Sequence, residues 1–182
     1  MRWLILGAAL SAADSAGACR GIHAEFDGGQ ERQSDEHGAG FHRLQGPERL
    51  AGAYLVGRAA RTQSFAVTIY DPDARAGGGW WHRMVFNIPE TVHALAAGAG
   101  SEGSKDLPAD ASQGRNDFGV SQYCGPCTPV GDHARHYEIT VHAVKVARLP
   151  LDNIASGAEV SAQLRSNTLA TAKFVGRYER RN

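Results

Sequence analysis

Three stretches of the chain, residues 65–70, 84–88 and 137–143, alternate their side chains with a period of two. Successive side chains of a β-strand point to opposite faces, so this pattern predicts a strand in each stretch. The third stretch is the clearest, because polar and apolar residues alternate strictly along it. The first strand is expected to run into Asp71, and Pro89 is expected to end the second.

A helical signal comes later in the chain. Ser156 and Glu159 have the spacing of a capping box, in which Ser begins a helix and Glu follows three residues on. The apolar positions near helical spacing are Val160, Leu164, Leu169 and Ala172. They predict a helix that continues until Gly176.

Between the second and third strands, residues 98–130 are rich in Gly, Asp, Ser and Pro. A loop of this length inside a compact domain is usually functional. With strands first and one late helix, the predicted architecture is mainly β: an antiparallel β-sandwich with helical appendages.

Composition limits the classes of protein to which the chain can belong. Its 182 residues suit one domain with a sizeable core. The 19 basic and 19 acidic residues cancel, and without long basic runs the chain has no electrostatic footprint for nucleic acid.

The N-terminus predicts export. A basic residue, a short apolar run and a small-residue cleavage site make residues 1–18 a signal peptide, which implies a periplasmic or secreted protein. The alternatives are an ordinary buried first strand and lipidation at Cys19, because Ala16–Cys19 is similar to a bacterial lipobox. Residues 19–182 are then a single domain.

Several polar groups lie at strand ends and in loops, where a rigid β scaffold can bring them together. Asp71 and Asp73 flank a proline, His82 follows, and Gly125 and Tyr137 come later. Such groups suit a small polar or anionic ligand. A metal-dependent hydrolase that uses Asp71, Asp73 and His82 as ligands is the alternative, although no nucleophile can be nominated.

Cys124-Gly125-Pro126-Cys127 spells the thioredoxin active-site tetrapeptide. That chemistry needs the first cysteine at a helix N-terminus, and residues 128–131 cannot begin a stable helix. A disulfide between Cys124 and Cys127 in an exported protein and two inert thiols are the remaining interpretations.

Five motifs together resemble the phosphatidylethanolamine-binding protein family, and most closely its bacterial YbhB/YbcL branch (Raf kinase inhibitor-like proteins). They are residues 65–74 (FAVTIYDPDA), 80–82 (WWH), 87–89 (NIP), 113–119 (QGRNDFG) and 125–127 (GPC), in that order. The resemblance covers roughly residues 63–180. It implies a Greek-key β-sandwich with a small anion pocket at one end.

The resemblance implies which residues of this chain form the family's pocket, position by position. The implied ligand-binding residues are Asp71, Asp73, Trp80, His82, Gly125, Pro126, Cys127, Arg135 and Tyr137. Amides of the Gly-Pro turn and a protonated His82 would bind an oxyanion, with one carboxylate keeping His82 protonated and the other accepting from the ligand. The implied ligand is a small anion or phospholipid head group. The implied protein is not an enzyme, has no cofactor, and could inhibit or regulate a partner protein.

The chain departs from the family pattern at three places. Arg135 stands where a histidine is usual, Arg75 stands where a proline is common, and residues 46–61 have lost most of the family's Ser-Pro-x-Leu-x-Trp signature. Strand alternation places Arg135 on the same side as Tyr137 and His136 on the other. We therefore expect Arg135 either to strengthen anion binding or to pair with Asp71 or Asp73 and block the pocket.

Overall fold

The computed structural model describes residues 61–74, 78–96 and 98–179. These residues form one five-stranded antiparallel sheet and one helix. The elements are β1 (Ser64–Asp71), β2 (Trp80–Pro89), β3 (Ser112–Gln113), β4 (Arg135–Val144), α1 (Gly157–Asn167) and β5 (Thr168–Tyr178). No helix in these ranges has the length and apolar character needed to cross a membrane.

The strands are ordered β3-β2-β1-β4-β5, and every neighbouring pair is antiparallel. Four of them follow the spatial order 4-1-2-3, which is the Greek-key arrangement. The predicted antiparallel Greek-key fold is thereby confirmed, and so are the three strands predicted from alternation.

The central strand β1 is buried along almost its whole length, because side chains pack against both faces of the sheet. One face carries the cluster that includes Phe65, Val67, Ile69 and Tyr137. The other face carries Met84 and the inward side of α1. Packing on each face removes apolar surface from water, and this burial is the main contribution to the stability of the sheet.

The helix begins as predicted and ends earlier. Ser156 accepts from the Glu159 N–H, and the Glu159 carboxylate accepts from the Ser156 N–H, so the capping box is formed. The predicted continuation through Leu169 and Ala172 to Gly176 is wrong, because these residues belong to β5. Pairing along nearly the whole of β4 satisfies their backbone groups, and this tertiary contact overrides the local spacing.

The end of β1 and the beginnings of β2 and β4 lie at the same edge of the sheet, because both neighbours run antiparallel to β1. There β2 contains one extra residue. Arg83 lies opposite Ile69 and Trp81 opposite Tyr70, which leaves His82 at a β-bulge. A bulge re-aims side chains beside a strand end.

Several predictions fall outside the described residues. These are the signal peptide at residues 1–18, lipidation at Cys19, the altered segment at residues 46–60 and the replacement at Arg75.

Candidate anion-binding site

Asp71 is the buried acidic group at this edge of the sheet, with 1% of its side chain exposed. Its Oδ1 accepts from the backbone N–H groups of Asp73 (2.9 Å) and Ala74 (3.1 Å), so the carboxylate is held by the turn that it begins. Its Oδ2 faces the site. Burial raises the pKa of Asp71, against the opposing effects of these hydrogen bonds and of Arg135.

His82 lies beside Asp71 and is 3% exposed, with its Nε2 atom 4.0 Å from Asp71 Oδ2. Its Nδ1 donates to the Gly125 carbonyl at 3.2 Å, since a carbonyl can only accept. The pKa of His82 is lowered to about 4, chiefly by burial; the Gly125 bond opposes this shift and the Arg135 charge adds to it. This low pKa contradicts the expectation of a protonated His82: desolvation outweighs the Gly125 hydrogen bond, and the ring is neutral near neutral pH.

Arg135 closes the outer side of the site. Its NH1 lies 3.6 Å from Asp71 Oδ2, and its side chain is 17% exposed. Its Nε and NH2 atoms donate to Asp132 Oδ2 at 3.1 and 2.6 Å. Of the two alternatives considered for Arg135, the structure shows the pairing with Asp71, and stronger anion binding stays a prediction.

Tyr137 forms the inner wall beneath His82, with ring centroids 5.1 Å apart. Its hydroxyl lies 2.9 Å from Thr128 Oγ1, which in turn donates to the Tyr178 carbonyl at 3.2 Å. Burial raises the pKa of Tyr137 well above its ordinary range, so the phenol stays protonated. These hydrogen bonds hold the Tyr137 ring in place against His82.

The Gly-Pro-Cys segment contacts His82 and Tyr137, while anion binding by its amides stays a prediction. Gly125 presents its carbonyl to His82, and Pro126 has no N–H. The Cys127 N–H bonds the Tyr137 hydroxyl. The segment therefore orients His82 and Tyr137.

Aromatic rings cover the remaining side of His82. Phe118 lies edge-on to His82 at 5.5 Å, and Trp80 packs on Phe118 at 5.1 Å. Trp80 therefore contacts Phe118, which in turn contacts His82. Such rings keep water away from the charged groups and strengthen the interactions among them.

Asp73 lies at the rim and is already occupied. Its Oδ2 accepts from the His136 backbone N–H at 2.8 Å and lies 2.8 Å from the same residue's Nδ1. Strand alternation places His136 on the other side of β4 from Arg135, and Asp73 binds it there through Oδ2; a contact between Asp73 and a ligand stays a prediction. The predicted register of Arg135, His136 and Tyr137 agrees with the geometry.

Cys124 and Cys127 are not joined by a disulfide in this structure. Residues 124–129 form neither a hydrogen-bonded turn nor a bend. A disulfide requires closely approached Cα atoms, which an unbent segment of four residues does not supply. The predicted Cys124–Cys127 disulfide is therefore absent from this structure.

The sequence analysis did not identify three residues that shape the site: Asn116, Phe118 and Asp132. The first two lie inside the quoted motif at residues 113–119, which was the available signal. Asp132 could have been found from its spacing, because it precedes Arg135 by three residues. In the described ranges, no three His, Cys, Asp or Glu side chains are grouped so that they could hold a metal ion.

Comparison with known sequences agrees with this geometry. The phosphatidylethanolamine-binding protein family model matches residues 46–179. The UPF0098 protein YbcL of Escherichia coli K12 is 49% identical over 118 residues, or 65% of this chain and 64% of that protein. The UPF0098 protein YbhB of the same organism is 42% identical over 119 residues, or 65% of this chain and 74% of that protein.

A more distant relative is LppC of Mycobacterium tuberculosis H37Rv, a predicted lipoprotein. It is 32% identical over 120 residues, which are 66% of this chain and 55% of that protein. The matched region thus spans between about half and three quarters of these relatives.

A solved structure has the same fold. The crystal structure of Escherichia coli YbcL, described as a member of the mammalian PEBP family, superposes with a TM-score of 0.69 at 40% identity. The match covers 82% of this chain and 97% of that one. The fold, the site geometry and these comparisons together show that the chain belongs to the phosphatidylethanolamine-binding protein family.

Proposed function

We propose that this protein binds a small phosphate anion, either free or as the phosphate of a phospholipid head group, at the site formed by Asp71, His82 and Arg135. The convergence of these three side chains at one sheet edge is the observation that supports the proposal. Binding there would regulate a partner protein, and the protein would not be an enzyme. The family's name supports the same ligand class.

The groups in the site suit a ligand that both accepts and donates hydrogen bonds. Arg135 is always charged and presents a planar set of donors that match an oxyanion. Neutral His82 and ionised Asp71 offer the acceptors Nε2 and Oδ2, which are 4.0 Å apart. A phosphate that retains a proton, or a head group that also carries an ammonium, satisfies both sets of groups.

The low exposure of Asp71 and His82 increases the effect of each charge in the site. The space beside these two residues admits only a small ligand, because Phe118 lies on one side of His82 and Tyr137 forms the inner wall. A metal-dependent hydrolase gains no support from the described residues, which contain no group of metal ligands.

Isothermal titration calorimetry with inorganic phosphate and with phosphoethanolamine tests the proposal. Arg135→Ala should weaken binding roughly tenfold or more, because a hydrogen bond to a charged group contributes about 1.5–3 kcal/mol. Arg148→Ala is the matched control, since Arg148 is exposed and lies in the segment after β4. Equal affinities of the two variants would contradict the site. Metal-dependent release of phosphate from a monoester would favour the hydrolase instead.

We further propose that residues 1–18 direct export, on the strength of their apolar run and small-residue site. Mass spectrometry of protein expressed in a bacterial host should show a chain that begins at Cys19. A lipid mass on Cys19 would instead indicate a lipoprotein, which is what the relative LppC is predicted to be. Protein that retains Met1 in the cytoplasm would contradict export.

A further inference from the structure

Asp132 occupies the part of Arg135 that is best suited to a ligand. A single oxygen of Asp132, Oδ2, accepts from both Nε and NH2 of the guanidinium, at 3.1 and 2.6 Å. This edge of an arginine is the one that typically grips a carboxylate or phosphate in two places. The contact is partly shielded, with side-chain exposures of 17% for Arg135 and 27% for Asp132.

The same guanidinium also reaches inward. Its NH1 lies 3.6 Å from Asp71 Oδ2, so Arg135 bridges a buried carboxylate and a rim carboxylate. In this arrangement the chain's own carboxylates occupy the positions that an oxyanion would take. An incoming anion meets two negative charges that already neutralise the donor.

Asp132 lies in the loop just before β4, next to Gly131, whose φ is 77°. Its other oxygen, Oδ1, accepts only from its neighbour His133, whose N–H is at 2.9 Å and whose Nδ1 is also at 2.9 Å. Asp132 can therefore withdraw from Arg135 without breaking a strand pairing.

We propose that Asp132 is an internal competitor that sets the affinity of the pocket: it occupies the Nε–NH2 edge of Arg135 until an external oxyanion replaces it. This inference rests on the proposed function of the pocket and adds how that pocket is regulated. No bond is made or broken in the exchange. One carboxylate leaves the guanidinium and one oxyanion takes its place.

The test is the variant Asp132→Asn in the full chain, titrated with inorganic phosphate by calorimetry. Asparagine removes the charge that faces Arg135 and keeps an oxygen for the His133 N–H. The dissociation constant should fall about two- to fivefold, the scale of a partly exposed ion pair. Asp110→Asn is the matched control, because Asp110 is an exposed carboxylate in the loop before β3 and its replacement changes the net charge equally.

Two further measurements make the result decisive. In an Arg135→Ala background, Asp132→Asn should give no gain, because the competition is for Arg135. In the unmodified protein, the NMR signal of the Arg135 Nε–H should shift on addition of phosphate, even if Asp132→Asn fails to fold. An unmoved signal would overturn the inference.

The outcomes also separate the inference from the proposed function. If the unmodified protein binds phosphate and Asp132→Asn binds no more tightly than Asp110→Asn, Asp132 is not a competitor and the pocket assignment stands. If neither the unmodified protein nor Asp132→Asn binds phosphate, both proposals are overturned.

Discussion

His82 illustrates how a single backbone irregularity positions a functional side chain. It lies at the bulge of β2, where its Nδ1 is held by the Gly125 carbonyl and its ring is held between Phe118 and Tyr137. Burial then keeps the ring neutral. In the proposed site the positive charge comes from Arg135, which costs less to keep ionised because its guanidinium is weakly hydrated.

Asn116 holds the loop that brings Phe118 to His82. Its Oδ1 accepts from the N–H groups of Phe118 and Val120 at 3.0 and 3.2 Å, and its Nδ2 donates to the Gln122 carbonyl at 2.8 Å. Asn116→Ala leaves these three partly buried groups without this partner, so the free energy of unfolding should fall by roughly 2–4 kcal/mol.

Urea unfolding measures that loss, and phosphate titration should show weaker binding because the loop no longer fixes Phe118. Asn153→Ala, at an exposed asparagine, serves as the control. Unchanged phosphate affinity in a destabilised Asn116→Ala protein would mean that this loop does not position the site.

At the scale of elements, antiparallel pairing explains why the site lies where it does. Asp71 ends β1, His82 lies near the start of β2, and Arg135 begins β4. Antiparallel neighbours place these three positions at one sheet edge although they are far apart along the chain. The same pairing converts residues 168–178 into β5, where local spacing had predicted helix.

At the scale of the whole molecule, the buried His82 and the partly buried His142 couple stability to pH. Burial lowers the pKa of both His82 and His142 from 6.5 to about 4. Between these pH values the unfolded chain binds protons that the folded protein does not, so stability rises with pH across this window. The stability that these two histidines contribute is fully present above pH 6.5 and is lost as the pH falls towards 4.

We therefore expect the free energy of unfolding to decrease from pH 6.5 to 4, by at most about 3 kcal/mol for each histidine. The raised pKa of Asp71 acts in the opposite direction and offsets part of this loss. His142→Gln should reduce the slope, whereas His93→Gln, at an exposed histidine, should leave it unchanged. Denaturant unfolding at several pH values measures the slope, and equal slopes in both variants would refute this coupling.

By itself, the sequence determined the strands at residues 65–70, 84–88 and 137–143, the start of the helix at Ser156 and the family. It could do so because alternation, capping and motif order are local properties of the chain. Tertiary structure alone decided that residues 168–178 form a strand and that Cys124 and Cys127 stay apart. It also decided that Asp73 binds His136, that His82 is neutral and that Arg135 lies between Asp71 and Asp132. These outcomes depend on burial, on pairing between distant strands and on which charges meet in space, and no local pattern of residues encodes those quantities.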